Sequence, residues 1–427
     1  MAWQGRSVAI VFVVATIAGM AMMNPALAPA QGQPGIPSTQ APQAVEGPET
    51  NIIPSVALSE RYDSNVFFVP GGTLDDYVTT VSPQLRVVHK RPLVEGTIGG
   101  GVIAETYVKN PGLNYVAANG SVQLNLDGAM NELVRGLGLQ ISDTFRYSPQ
   151  LPAFAAPTDG GEIPEASLIG IQARRANSSA NAGTVAASYA ISPLLSFIST
   201  YIDHRIQFGN PTSAPTGGIQ GSLIDTTFQT VQSGPAFKVS PRDTLSLFHQ
   251  YQKATFDFQG SKSGFSIQGA IAGWTRLVTP TVTTSMTGGV VVFSGTNDLH
   301  YVGSAALLWK GQDTDLTLSY KRAIVPSFFI AAVPLLSQVV SATATYHVTE
   351  SFSVLLNGNY AINQSIPDSS LLKFESYSVT PSMQYQVNRV MTATLSYTHS
   401  VFDRTFSSQE SSFDRNLVML RIFAEWK

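Results

Sequence analysis

Apolar residues in this chain recur at every second position rather than at the three- and four-residue steps of a helix. In Glu375–Val387, Tyr377, Val379, Met383, Tyr385 and Val387 share one parity, while Ser376, Ser378, Thr380, Ser382, Gln384 and Gln386 share the other. Strand geometry sends such sets to opposite faces of a sheet. The next segment repeats the pattern, with Met391, Ala393, Leu395, Tyr397 and Val401 set against Thr392, Thr394, Ser396 and Thr398. Val116, Ala118, Val122, Leu124 and Leu126 oppose Asn119, Ser121, Gln123, Asn125 and Asp127 in the same way. So do Phe352, Val354, Leu356, Tyr360 and Ile362 against Ser351, Ser353, Asn357 and Asn359. Between 176 and 275 the alternation is less clean, and a one-residue slip there exchanges the two faces.

Continued along the chain, the pattern predicts about eighteen strands, the first near 54–69 and the last near 414–427. Every second connection is short, as at Arg91-Pro92, Ser192-Pro193, Thr279-Pro280, Gly311-Gln312 and Asn388-Arg389. The intervening ones, such as 148–173, 209–223 and 403–413, are longer. An even number of strands, each about ten to sixteen residues long, with short and long connections in alternation, predicts a transmembrane antiparallel up-and-down β-barrel. Its short turns lie in the periplasm and its long loops outside. Tyr77, Tyr107, Tyr147, Tyr201, Trp274, Trp309 and Trp426 fall near strand ends, where aromatic girdles meet the membrane interfaces.

Composition agrees. Charged residues are 12% of the 427, about half the usual share for a soluble domain, and hydrophobic residues are 44%. The formal net charge of −3 gives no electrostatic basis for binding nucleic acid, and the absence of cysteine excludes disulfides, thiolate metal sites and cysteine nucleophiles. Arg6, the apolar run Ser7–Met23 and the small-x-small sites Ala26-Leu27-Ala28 and Ala28-Pro29-Ala30 predict a signal peptide over 1–30, cleaved after Ala30. A Pro/Gln/Gly-rich disordered periplasmic leader follows over 31–52, and the barrel fills 53–427. The expected location is the bacterial outer membrane.

The last strand, Asn416–Lys427, puts Val418, Leu420, Ile422, Ala424 and Trp426 on one face. It resembles the C-terminal signal by which outer-membrane barrels are recognised for assembly, except that Lys427 follows the aromatic. Other phrases are Tyr62-Asp63-Ser64-Asn65-Val66-Phe67, Asp75-Asp76-Tyr77 with Val81-Ser82-Pro83, Arg175-Ala176-Asn177 with Asn181, and Tyr189-Ala190-Ile191-Ser192-Pro193. Through these the chain resembles the porin-like outer-membrane barrel family associated with exopolysaccharide synthesis and export systems. The resemblance implies a barrel that passes polysaccharide, and it carries over no individual functional residue.

No catalytic constellation is evident: the six histidines are scattered, and no enzyme, cofactor or metal is expected. The polar face is rich in Ser, Thr, Asn and Gln, which exchange hydrogen bonds with water or sugar hydroxyls. Its candidate charged residues are Arg86, Glu105, Arg146, Arg174, Arg175, Asp203, Arg205, Lys321 and Arg421, a mixture of signs that argues against strong ion selectivity. Loop 148–173 either folds inward or forms an external flap, and the apolar segment 325–336 extends the neighbouring strands or touches a partner or lipopolysaccharide. Expected partners are outer-membrane lipid and lipopolysaccharide, the barrel-assembly machinery and, through the resemblance, exopolysaccharide-export components. The leading function is a channel passing or exporting an exopolysaccharide. A general or solute-specific diffusion porin, and a structural or adhesive surface barrel with a plugged lumen, stand as alternatives.

Overall fold

The computed structural model describes residues 49–66, 74–148, 176–211, 223–258, 260–294, 298–327, 332–366, 371–406 and 409–426. The expected signal peptide, most of the expected leader, and the expected loop 148–173 beyond Ser148 lie outside them.

The described chain forms one antiparallel sheet of 18 strands in which each strand pairs with its sequence neighbours. The strands are β1 (Glu49–Asp63), β2 (Asp76–Lys90), β3 (Glu95–Tyr107), β4 (Tyr115–Asn125), β5 (Leu137–Ser148), β6 (Ala176–Ala190), β7 (Leu195–Pro211), β8 (Asp225–Lys238) and β9 (Asp243–Phe258). They continue as β10 (Ser261–Thr279), β11 (Val282–Phe293), β12 (Leu299–Lys310), β13 (Thr314–Pro326), β14 (Pro334–His347), β15 (Phe352–Ser365), β16 (Leu372–Gln386), β17 (Met391–Phe406) and β18 (Gln409–Glu425). The sheet closes on itself through β1 and β18, in register from Ser55 opposite Glu425 to Asp63 opposite Leu417. Closure leaves no edge strand and satisfies the backbone within the protein, as a hydrocarbon environment demands.

The predicted strands all appear, with shifted ends. β1 begins at Glu49, ahead of the expected 54, and ends at Asp63. The β4–β5 connection contains a short helix, α1 (Asp127–Leu133). The turn from its end into β5 passes through Gly136, whose φ of 86° suits glycine and whose N–H donates to Asn131 Oδ1 at 2.7 Å.

The outer surface carries the apolar parity: Leu58, Val81, Leu85, Ile98, Leu356, Leu395 and Leu420 are all exposed. Trp309 and Tyr301 on β12, like Tyr385 and Tyr377 on β16, lie on this face eight residues apart. That spacing is roughly 26 Å along a strand, or about 20 Å across a membrane at a tilt near 40°, in keeping with the apolar band of such barrels. Tyr77, Tyr147, Tyr201, Trp274 and Trp426 also face outward. Tyr107 does not: it shares the inward parity of Glu105, is 3% exposed, and its hydroxyl donates to Glu105 at 3.0 Å.

Candidate functional site

The barrel wall departs from a plain cylinder at its outer end. β12 pairs with β13 only as far as Gly303 opposite Arg322, although β12 extends four residues further, to Leu299. Above that point β13 and β14 remain paired to each other, through Ile324 opposite Leu336 and Val325 opposite Leu335, up to Pro326 opposite Pro334. The parity of these residues shows where the hairpin goes. Ile324 and Leu336 lie on the outward parity, yet they pack against Ile267, Val291 and Phe293, which face inward from β10 and β11. Val325 and Leu335 lie on the inward parity and pack with Leu372 and Phe374 of β16 and with Ile206 of β7, on the opposite wall. An outer face of one hairpin can touch the inner face of the wall only if the hairpin has folded into the lumen.

The described end of the hairpin is therefore covered on both sides: Ile324, Leu335, Leu336 and Ser337 are all at most 4% exposed. Ala332, near its end, reaches Ile224 and Phe256 on the β8–β9 side. The described parts of the apolar segment 325–336, Val325–Pro326 and Pro334–Leu336, thus extend their strands, as one sequence expectation has it, but inward instead of outward. Apolar burial drives this placement, since such a segment left in water forfeits about 25 cal/mol for each Å² of exposed hydrocarbon. Where β13 peels away, Arg322 fills the broken ladder: its Nε donates to the Tyr301 carbonyl at 3.1 Å, while Tyr320 Oη donates to Gln338 Oε1 at 3.2 Å. Inside β10 and β11 the wall is tightly coiled below the hairpin. A Cβ on Gly269 would lie 2.0 Å from the Val290 carbonyl oxygen, so only glycine fits there.

The apolar packing around the hairpin draws on β6 to β17, and among the described residues it takes none from β1–β5 or β18. The opposite side of the lumen is polar and carries charges of both signs. Arg86 faces inward and pairs with Glu425 at 2.8 Å. Glu105 faces inward, 7% exposed, and receives Arg61 Nη2 at 3.2 Å and the hydroxyls of Tyr107 and Tyr115. Arg146 stands beside them on β5, opposite Asn119, within Coulomb range of Tyr115 and Glu105. Arg421 faces inward opposite Ser59, with its guanidinium 5.4 Å from the Phe423 ring centre. Lys321, on the hairpin's own strand β13, faces inward opposite Ser304.

Two of the sequence candidates face the other way. Asp203 and Arg205 share the parity of Tyr201, which is exposed on the outer surface. Arg205 Nε donates to Asp203 Oδ2 at 2.6 Å, and Gln229 Nε2 donates to Asp203 Oδ1 at 3.0 Å. They lie beyond Tyr201 toward the outer end of β7, where the outer surface is no longer in hydrocarbon and charge does not mark the lumen. Arg174 and Arg175 lie outside the described residues. Val418, Leu420 and Ile422 lie on the outward face of β18, and Trp426, just past its end, is exposed on the same side.

Three inward arginines, Arg61, Arg404 and Arg415, did not stand out in the sequence. Arg415 makes a two-pronged ion pair with Asp63, its Nε donating at 2.8 Å, and so joins the last strand to the first at the outer rim. Asn65 N–H also donates to Asp63, at 3.1 Å. Asp76, fully buried, accepts from the backbone of Tyr77, Lys109 and Asn110 and from Asn110 Nδ2, all within 2.9 Å, and so ties the β3–β4 loop to β2. The Asp63-Ser64-Asn65 and Asp75-Asp76-Tyr77 phrases are thus rim clasps rather than solute ligands. Arg415→Ala is expected to lower stability by about 3–5 kcal/mol, because it strands a buried carboxylate. Thermal unfolding in detergent measures it; Asp63→Asn in the same chain recovers part of the loss, and an unshifted transition refutes the clasp.

A closed barrel with an apolar outer belt, aromatic girdles and a polar lumen defines the class: a transmembrane β-barrel of the bacterial outer membrane, built like a porin. No protein-family model matches the chain, and no curated protein sequence matches it. Among solved structures it is similar to the Pseudomonas aeruginosa outer membrane protein OccK1 (OpdK), at 10% identity and a TM-score of 0.42, over 88% of this chain and 99% of that one. It is similar to OprD of the same organism at 8% identity and a TM-score of 0.42, over 88% and 95% of the two chains. The siderophore receptor PirA matches at 9% identity and a TM-score of 0.44, over 90% and 81%.

Proposed function

We propose that the barrel is a solute-selective diffusion channel whose passage runs between the inward-folded β13–β14 hairpin and the polar wall of β1–β5 and β18. The observation that carries this reading is the hairpin itself. An 18-stranded barrel encloses an aqueous lumen wide enough for general diffusion. Here an apolar hairpin bridges the mouth from β13–β14 to β7 and β8–β9, and leaves the polar side as the route. Such an aperture suits small solutes better than an extended glycan, and the exopolysaccharide cargo is supported by sequence resemblance alone.

Purified protein in planar bilayers tests the reading. Small, discrete conductance steps are expected, unaffected by exopolysaccharide fragments added on either side. Absence of conductance in both the natural protein and a hairpin-trimmed variant supports the plugged, structural alternative. Block by long glycan fragments, with none by monomers, returns the case to polysaccharide export.

A further inference from the structure

We propose that the outward face of β7–β9 binds a second copy of this chain, in a two-fold contact centred on β8. The proposal goes beyond the channel reading and does not depend on it, because association is measured without conductance.

The apolar belt changes character on these three strands. Ser199, Ser233 and His249 form one row of ladder partners on the outward face of β7, β8 and β9. Each is flanked along its own strand by outward apolar or aromatic residues. Ser199 lies between Phe197 and Tyr201, Ser233 between Val231 and Pro235, and His249 between Leu247 and Tyr251. The two serines satisfy each other, Oγ to Oγ at 2.7 Å. His249 is different: it is exposed, and its imidazole makes no hydrogen bond or ion pair among the described residues. On the far side of the barrel the outward row of Met383, Leu395 and Leu420, on β16, β17 and β18, is hydrocarbon throughout. Lipid tails offer a polar side chain nothing to bond, so a polar group within the belt calls for a protein partner.

The patch is complementary to itself. Along its middle strand, β8 presents Val231, Ser233 and Pro235, small side chains that let two surfaces approach closely. A two-fold axis along the membrane normal beside β8 sets β9 of one copy against β7 of the other. Asp243 to His249 on β9 and Leu195 to Tyr201 on β7 are equal six-residue steps from the periplasmic ends of their strands. His249 therefore meets the partner's Tyr201 at one depth. The Tyr201 hydroxyl accepts from Gln229 Nε2 at 3.0 Å and donates to Asp203 Oδ1 at 3.4 Å, which leaves one of its two acceptor positions open. A neutral imidazole supplies the N–H that fills it. The symmetry repeats the contact on the other side of the axis, so the same pairing engages both histidines.

The chain has no cysteine, so single introduced cysteines are clean probes of the full-length protein in outer-membrane fractions. Ser233→Cys, beside the axis, is expected to give a dimer with a short bis-maleimide. Leu395→Cys, on the far side, is expected to give none. Particle masses in lipid nanodiscs are expected to correspond to two copies. His249→Leu and Tyr201→Phe should each weaken the dimer by about tenfold, and the double variant no more than either alone, as two ends of one bond behave. His249→Gln keeps a donor and should retain part of the association. Circular dichroism establishes that each variant is a folded barrel. Single-copy particles, Ser233→Cys linked to a different protein, or a dimer indifferent to His249→Leu overturns the contact.

Discussion

Replacing residues 324–336 with an Asn-Gly turn is expected to raise single-channel conductance by roughly threefold or more, because an open barrel of this size leaves an aqueous channel. Ala323 and Ser337 are directly paired across β13 and β14, so a two-residue turn can join them without changing register. The excised segment contributes Ile324, Val325, Leu335 and Leu336, which fill the space between β7, β10–β11 and β16. Without them the inner faces of those strands line open water. A quieter version leaves the chain length intact: Leu335→Asp puts a carboxylate in a fully buried apolar site. Its burial is unfavourable enough to drive the hairpin out of the cluster for part of the time, and the expected record is flickering between small and large steps. Unchanged conductance in the excision variant, in protein that still shows a folded barrel by circular dichroism, would mean that the hairpin does not narrow the passage.

The contrast between the barrel and its constriction shows what a one-dimensional pattern can carry. Alternation over Glu375–Val387 and Met391–Val401 reveals strands because a fully paired wall between lipid and water forces every side chain to one face or the other. The hairpin obeys the same alternation locally, but both of its faces are buried, so Ile324 and Val325 are equally apolar and parity says nothing about direction. Direction is set by contacts with Ile206 and Phe293, which are far away in sequence. The segment's unusual apolarity was the available signal, and a long outer loop whose one polar residue is Ser327 is itself a reason to look for a fold inward. Asp203 and Arg205 fail for a related reason. Charge reports water, and above the outer aromatic girdle water lies on both sides of the wall. Arg415 was invisible because its meaning depends on Asp63, at the other end of the chain, and only barrel closure brings the two together.

The outward face of β18 offers the second large effect. Ile422→Arg is expected to destabilise the barrel by about 2–4 kcal/mol, the cost of an arginine facing lipid near the bilayer midplane. Ile422 lies four residues from Trp426 at one interface, beside outward Leu58 and Ala393, with Leu58 49% exposed to the apolar belt. The natural chain supplies the comparison one position earlier: Arg421 carries the same charge on the same strand and is accommodated because it faces the lumen. Gln384→Arg, on the inward face of β16, serves as the engineered control and should change stability by no more than about 0.5 kcal/mol. Denaturant unfolding from lipid vesicles measures both. Equal, small effects at Ile422 and Gln384 would show that the outer face does not contact hydrocarbon at this depth. A large loss at Ile422 alone places the lipid on the side of Val418, Leu420 and Trp426 and the water on the side of Arg421, which is the separation that a diffusion path along the inner wall requires.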